Sequence, residues 1–227
     1  MKALIIEDDS ESVGSVSLAL RMLWPDAELA TTHLGKKGIK LAESEAHNII
    51  ILDLGLPDMS GFEVLQQIRL FSSVPIIILT VQAEEADIVK VLESGADDYI
   101  VKPCGQLELL ARVKARMRDK NQFAEELPLT LGSLSFNPLT RQLSYGKKET
   151  DLTGIEARII RYLMARGGRV ATYSSIAQDV WGKDYVGTLH CLRVHIRRLR
   201  KKLEADPNHP QLILTKPRIG YFLANPG

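Results

Sequence analysis

The residues best placed to do chemistry are carboxylates that follow apolar runs. Asp53 closes the run Asn48-Ile49-Ile50-Ile51-Leu52 and leads into Leu54-Gly55-Leu56-Pro57-Asp58-Met59-Ser60-Gly61, a loop rich in turn residues. Branched aliphatics in succession, bounded by turn signals, read as a strand buried on both faces. Asp53 then stands at the strand's carboxyl end, where open α/β sheets bind ligands; an Asp there can also simply begin a turn. A second run, Ala3-Leu4-Ile5-Ile6, ends in Glu7-Asp8-Asp9. If the two runs are neighbouring parallel strands, their acids meet at one sheet edge, an unfavourable arrangement unless a cation or a proton neutralises it. An all-oxygen pocket with no nearby Cys or His favours a hard ion such as Mg²⁺.

The elements that must position these acids alternate along the first half of the chain. Ser10 is expected to cap a helix carrying Val13, Val16, Leu20 and Leu23, stopped by Trp24-Pro25. Glu28 to Thr31 reads as a weak strand, Gly35 to Glu45 as a helix, and the segment after Gly61 as a helix with Phe62, Val64, Leu65 and Ile68. Val74 to Thr80 is a buried strand, Glu84 to Ser94 a helix, Tyr99 to Val101 a short strand ending in Lys102-Pro103, and Gln106 to Arg118 a helix. Strands alternating with helices describe a flavodoxin-like, doubly wound parallel sheet of α/β class. Glu7 and Asp8, Asp53, Thr80 and Lys102 each follow a different strand, so two acids, a central Asp, a hydroxyl and an ammonium would ring one cleft. Lys102 also reads as a plain surface charge, and Tyr99 as a half-buried strand aromatic.

Charge divides the chain. Of its 227 residues, residues 1–123 hold 13 Lys and Arg against 19 Asp and Glu, while residues 124–227 hold 16 against 9, so a net +1 conceals an acidic half and a basic half. Two domains follow, the second with a polyanionic partner. Cys104 and Cys191 are far apart and lack metal spacing, as expected of reduced cytosolic thiols. The short apolar start and the lack of any membrane-length apolar stretch predict no signal peptide, no membrane association and a cytoplasmic location.

The first half resembles the receiver domain of bacterial two-component response regulators. The likeness rests on Ile6-Glu7-Asp8-Asp9, the stretch Leu52 to Gly61, Ile78-Leu79-Thr80, Gly95-Ala96-Asp97-Asp98-Tyr99 and Lys102-Pro103. It implies that Asp53 accepts a phosphoryl group from a histidine kinase. Asp8, Asp53 and the Gly55 carbonyl would hold Mg²⁺, with Glu7 acting through water, and Lys102 and Thr80 would stabilise the charge spread over the phosphoryl oxygens. It also implies that Thr80 and Tyr99 reorient on phosphorylation. On the face through which such regulators pair, Asp98 with Arg112 and Glu93 with Lys114 resemble cross-dimer charge partners, whereas Glu108 faces Ile88 where a basic residue is usual. Val81 stands where a small residue is usual and is expected to narrow access to Asp53; Cys104 stands where an aromatic is common.

Arg118 to Leu127 is polar and charged and reads as a linker, giving domains 1–118 and 128–227 around linker 119–127. Beyond it, Leu129 to Leu131, Leu134 to Phe136 and Gln142 to Tyr145 read as antiparallel strands. A helix capped by Thr153 and a shorter one from Tyr173 follow. The third helix, from about Thr188 to Leu203, places Leu192, Ile196, Leu199 and Leu203 on one stripe at 100° per residue. Opposite lie His190, Val194, Arg197, Arg198 and Lys201, flanked by Arg193, Arg200 and Lys202. Such a concentration of cations is either a solvated face or a surface for an anion, and Val194 at its centre suits contact with a thymine methyl. Two strands around Lys216-Pro217-Arg218 complete a winged helix-turn-helix.

This half resembles the output domain of the OmpR/PhoB group through Val194-His195-Ile196-Arg197-Arg198-Leu199-Arg200-Lys201-Lys202-Leu203-Glu204 and the wing ending Gly220-Tyr221. By that likeness the basic helix enters the major groove and the wing follows a neighbouring groove or backbone. Arg198, with Arg193 and Val194, is expected to read bases, while Arg197, Arg200, His195 and Thr215 hold phosphates, Lys201 belongs to the same DNA-binding face, and Arg218 reaches out from a wing tip stiffened by Pro217. The expected function is a phosphorylation-dependent, DNA-binding transcription regulator rather than an enzyme. Its partners would be promoter DNA, a histidine kinase, a second copy of the chain and RNA polymerase. The alternatives are a regulator that binds DNA without phosphorylation and a flavodoxin-like phosphohydrolase with Asp53 as nucleophile.

Overall fold

The computed structural model describes residues 1–81, 84–117, 127–146, 148–182 and 189–224. The chain divides into two compact units, residues 1–117 and 118–227; the expected linker lies outside the described residues except for Leu127.

In the first unit β1 (Lys2–Ile6), α1 (Ser10–Leu23), β2 (Glu28–Thr32), α2 (Gly35–Ser44), β3 (Ile49–Asp53), α3 (Gly61–Arg69), β4 (Ile76–Thr80), α4 (Glu85–Glu93), β5 (Asp98–Val101) and α5 (Gln106–Met117) follow one another. The strands form one parallel sheet in the order β2-β1-β3-β4-β5. Ile49 to Asp53 and Ile76 to Thr80 are buried throughout, as expected where helices cover both faces and no alternation is needed. Ala3, Ile5, Ile49, Ile51, Ile77 and Leu79 pack with Val16, Ala19 and Leu20 of α1 and Leu109 and Val113 of α5. The intervening strand residues point to the opposite face.

Register sets the site. Ile6 pairs with Leu52, Leu52 with Ile78 and Thr80 with Val101, so the carboxyl ends of β1, β3, β4 and β5 line up at one edge. Asp97 supports this alignment: its Oδ2 accepts from the Ile76 N–H at 2.9 Å and from Arg69 at 2.7 Å. Helix α1 is capped one residue earlier than expected. The Asp9 carboxylate, not Ser10, accepts from the N–H groups of Glu11 and Ser12, because a charged acceptor suits the helix N-terminus and Ser10 is already helical. Asp9 is therefore committed to the helix, leaving Glu7 and Asp8 for the cleft.

In the second unit β6 (Leu129–Leu131), β7 (Leu134–Asn137), β8 (Gln142–Tyr145) and β9 (Lys148–Asp151) form an antiparallel meander. It is followed by α6 (Gly154–Ala165), β10 (Ala171–Thr172), α7 (Tyr173–Trp181), α8 (Leu189–Leu203), β11 (Ile213–Lys216) and β12 (Gly220–Leu223), with the last strands in the order β10-β12-β11. The sequence reading lacked β9 and β10. Strand β9 is a largely exposed edge strand with no apolar alternation to betray it, and β10 has only two residues. The tight β10–β12 approach needs Gly220, since a Cβ there would lie 1.8 Å from the Ala171 carbonyl oxygen. Among the described residues no helix is long and apolar enough to cross a membrane.

The junction of β3 with α3 is equally tight. Ser60 and Glu63 form a capping box, the Gly61 N–H donates to the Leu54 carbonyl at 3.0 Å, and a Cβ on Gly61 would stand 2.2 Å from the Asp53 carbonyl oxygen. Backbone cannot yield as a flexible side chain does, so Gly61→Ala should destabilise the first unit by about 1–3 kcal/mol. Urea unfolding checks this, with an unchanged midpoint contradicting it.

Candidate functional site

The aligned strand ends bring Glu7, Asp8 and Asp53 together, with one carboxylate oxygen of each within 4.8 Å of the others. Glu7 and Asp53 are only 2% and 8% exposed. Lys102, following β5, reaches between them: its Nζ lies 2.6 Å from Glu7 Oε2 and 3.2 Å from Asp53 Oδ2. Asp53 Oδ1 accepts from the Leu54 N–H at 2.7 Å. Buried Thr80 ends β4, and its carbonyl accepts from the Lys102 N–H at 2.7 Å, which ties the hydroxyl-bearing residue to the ammonium-bearing one.

Burial pushes the Glu7 carboxyl above its ordinary value, and the hydrogen bond from Lys102 offsets this only in part. Burial alone would lower the Lys102 ammonium, but Glu7 and Asp53 outweigh it and hold Lys102 above its ordinary value. The pocket is thus an acid-rich site in which the Lys102 ammonium is firmly charged and the buried Glu7 carboxylate still lacks full compensation. The donor set fits Mg²⁺: Glu7, Asp8 and Asp53 supply hard oxygens at mutual distances that one small cation can span.

The remaining receiver residues fall as follows. Val81, directly after the end of β4, is 77% exposed. Tyr99 is half-buried with the Arg112 guanidinium 5.8 Å from its ring centre. Asp98 is fully buried and pairs within the chain, to Arg112 at 2.9 Å and Arg116 at 3.8 Å, while Arg112 also holds Glu108 at 2.9 Å. Within the single chain Asp98 and Arg112 therefore pair with each other, as buried opposite charges must. Glu93 and Ile88 are half-buried, and Lys114 is exposed.

The second unit presents its cations on α8. Arg193, Arg197 and Lys201 recur every four residues on one exposed stripe. Leu192, Ile196, Leu199 and Leu203 are buried as expected, but so are Val194 at 5% and His195 at 0% exposure. The helix is packed over a wider arc than its apolar stripe required, and Val194 and His195 are inside rather than facing a groove. The His190 side chain lies outside the described residues.

Arg198, expected to read bases, is also buried. Its Nε lies 3.4 Å from Glu156 Oε1 on α6, and Lys202 Nζ lies 2.7 Å from Glu156 Oε2. A fully buried carboxylate draws both cations inward. The sequence signal was present in Thr153-x-x-Glu156, a capping box in which Glu156 accepts from the Thr153 N–H at 3.0 Å. Arg200 also serves the fold: it donates to the Ile213 carbonyl and to Thr215 Oγ1 and lies over the Tyr221 ring, tying α8 to β11 and β12. Glu204 accepts from the N–H groups of Gln211, Leu212 and Ile213 and fixes the start of β11. At the exposed tip between β11 and β12, Arg218 adopts φ 63°, a left-handed conformation that favours glycine.

The geometry defines a receiver-like unit, with an acid-and-lysine pocket at the end of a parallel sheet, followed by a winged-helix unit with a cationic helix. Residues 3–114 match the family of response regulator receiver domains, and residues 147–223 match the C-terminal domain of transcriptional regulatory proteins. A probable transcriptional regulator, ycf27, of Guillardia theta is 38% identical over 228 residues, covering 96% of this chain and 89% of that one. The chain belongs to the OmpR/PhoB-type response regulators, transcriptional regulators of two-component systems that join a receiver to a DNA-binding domain. Its structure is similar to that of DrrB, an OmpR/PhoB homologue of Thermotoga maritima, at TM-score 0.52 with 28% identity, covering 98% of each chain. It is also similar in fold to a mutant form of RitR at TM-score 0.80 with 22% identity, covering 99% of each chain.

Glu156 offers a pH test of this buried charge cluster. Burial raises a carboxyl, but the Arg198 and Lys202 charges outweigh it and hold Glu156 below the ordinary glutamate value. Its stabilisation is therefore complete above the unfolded-state value of about 4.5 and is lost as pH falls through the lower folded value. At neutral pH Glu156→Gln should cost about 3 kcal/mol by removing the buried charge that Arg198 and Lys202 share. The difference from wild type, followed by urea unfolding, should shrink on acidification; a pH-independent difference would contradict it.

Proposed function

We propose that phosphorylation of Asp53 controls the DNA occupancy of this regulator. The observation that carries the reading is the convergence of Asp53, Glu7, Asp8 and Lys102 in one pocket, on a chain that also bears an exposed cationic stripe. A carboxylate oxygen of Asp53 attacks the phosphorus of phosphohistidine or of a small phosphodonor, the donor's bond to phosphorus breaks, and an acyl phosphate forms. Asp8, Asp53 and the Gly55 carbonyl, with Glu7 nearby, would hold Mg²⁺, which would supply charge neutralisation at the phosphoryl oxygens. Lys102, already charged and 3.2 Å from Asp53, orients the incoming oxygens, and the Thr80 hydroxyl supplies a donor once the group is in place. Tyr99 and the adjoining face of α4, β5 and α5 then respond, with homodimerisation as the output and Glu93, Glu108 and Lys114 as its surface charges.

For DNA, Arg193, Arg197 and Lys201 on α8 and Arg218 on the wing are the outward-facing cations and are the groups proposed to meet a promoter. Arg198, Arg200, Lys202, His195, Val194 and Thr215 hold or support the helix and wing that present them. A histidine kinase as donor, RNA polymerase as a further partner and a cytoplasmic setting follow from the family and belong to the same proposal.

Incubation with a small phosphodonor and Mg²⁺ should label the wild type and leave Asp53→Asn unlabelled; equal labelling of both would place the acceptor elsewhere. In a DNA titration at several salt concentrations, Arg197→Ala should weaken binding and reduce the slope of log affinity against log salt by about 1. An unchanged salt slope would remove this stripe from the phosphate backbone.

A further inference from the structure

Helix α2 has no side-chain cap of its own: Leu34 stands at the N-cap position, and its apolar side chain offers no acceptor to the free N–H groups. The missing acceptor comes from the loop after β3. The Gly35 N–H donates to Asp58 Oδ1 at 2.7 Å and the Lys36 N–H to Asp58 Oδ2 at 3.1 Å. One carboxylate thus satisfies two of the free N–H groups at a helix end, from more than twenty residues away in sequence. The Lys36 N–H first, and the Gly35 N–H with it, hold the Asp58 carboxyl below its ordinary value, so it is ionised when it meets the positive end of the helix.

The packing around this contact is close. A Cβ on Gly35 would meet Met59 Cγ at 2.6 Å and Val64 Cγ2 at 2.7 Å, so the residue after Asp58 lies against the first turn of α2. On its other flank α2 touches β1, where a Cβ on Gly38 would meet Ile6 Cδ1 at 2.5 Å. Ile6 immediately precedes Glu7, whose N–H donates to the Thr32 carbonyl at 3.0 Å, at the end of the strand that leads into α2. Helix α2 is therefore wedged between the residue beside Glu7 and the loop that carries Gly55. That loop is tied at its ends by the Gly61 N–H to the Leu54 carbonyl at 3.0 Å, and between those ends Asp58 makes the bridge to α2. Gly55 itself is exposed, and a Cβ there would stand 3.6 Å from Asp53 Oδ2, so this part of the loop lies beside the phosphoacceptor.

We propose that Asp58 is a positioning residue for the phosphoacceptor pocket: by capping α2 across the loop, it fixes Asp53 and the Gly55 carbonyl relative to Glu7 and Asp8 and so sets the affinity for Mg²⁺. The inference rests on the phosphoacceptor reading of Asp53 and assigns Asp58 no contact with the reacting atoms.

The test uses the full chain as wild type, Asp58→Ala and Asp58→Asn, each titrated with Mg²⁺ alone by calorimetry, with amide exchange followed at Gly35 and Lys36. Asp58→Ala should weaken Mg²⁺ binding about tenfold, as loss of outer-shell support does elsewhere, and speed exchange at both amides. Asp58→Asn, which keeps one acceptor oxygen, should fall between it and the wild type; if Asp58→Ala does not fold, the asparagine variant alone decides. Fast exchange with wild-type Mg²⁺ affinity would reduce Asp58 to a helix cap and overturn the proposal. Labelling of wild-type Asp53 by the phosphodonor, measured alongside, separates the two readings. Labelled wild type with unaltered affinity in the variants sinks the positioning role alone, whereas Mg²⁺ binding without label sinks the phosphoacceptor reading and leaves the effect of Asp58 measurable. Wild type that binds no Mg²⁺ sinks both.

Discussion

The first unit depends on the charge balance at the carboxyl edge of its sheet. Glu7 and Asp53 are almost wholly withdrawn from solvent, and like charges in such a site oppose folding unless something positive stands between them. Lys102 is that group, touching both carboxylates from the far strand. Its position requires β5 to be in register with β4, and β4 with β3, so the sheet's hydrogen bonding and the pocket's electrostatics are one problem. The all-aliphatic strands supply the rigidity: each fully buried Ile or Leu contributes roughly 1.5–3 kcal/mol, enough in aggregate to hold acids where water would otherwise claim them.

A comparable constraint governs the second unit with the signs reversed. Glu156 is a buried anion within a cationic region, and it decides which cations of α8 are available to a partner. Arg198 and Lys202 turn inward to it, Arg200 turns to the wing, and the exposed stripe narrows to Arg193, Arg197 and Lys201. Committing some cations to the fold fixes the angle at which the others are presented. The wing is part of the same unit, because Arg200 and Glu204 hold β11 from the helix side.

Much of this was legible in the residues. The order of strands and helices in the first unit, the core stripe Leu192, Ile196, Leu199 and Leu203, and the location of Glu7, Asp53, Thr80 and Lys102 at strand ends all follow from local periodicity and punctuation. The helical wheel of α8 placed Val194 and Arg198 on the outer face because it assumes one buried face, whereas this helix is covered over a broad arc. The Asp98–Arg112 proximity within one chain depends on β5 and α5 packing together and is not visible in local pattern. Strand β9 was missed because edge pairing, not side-chain pattern, makes it a strand.

What the sequence determined by itself, then, is the fold class of each half, the set of acids and cations that carry chemistry, and the family to which the chain belongs. These are properties of local pattern: hydrophobic period, turn residues and short motifs. Only the tertiary structure decided which charges pair with each other and which face outward. Burial and partner distance depend on contacts between residues far apart in the chain, such as Glu156 with Lys202 or Asp58 with Gly35, and no local pattern encodes them.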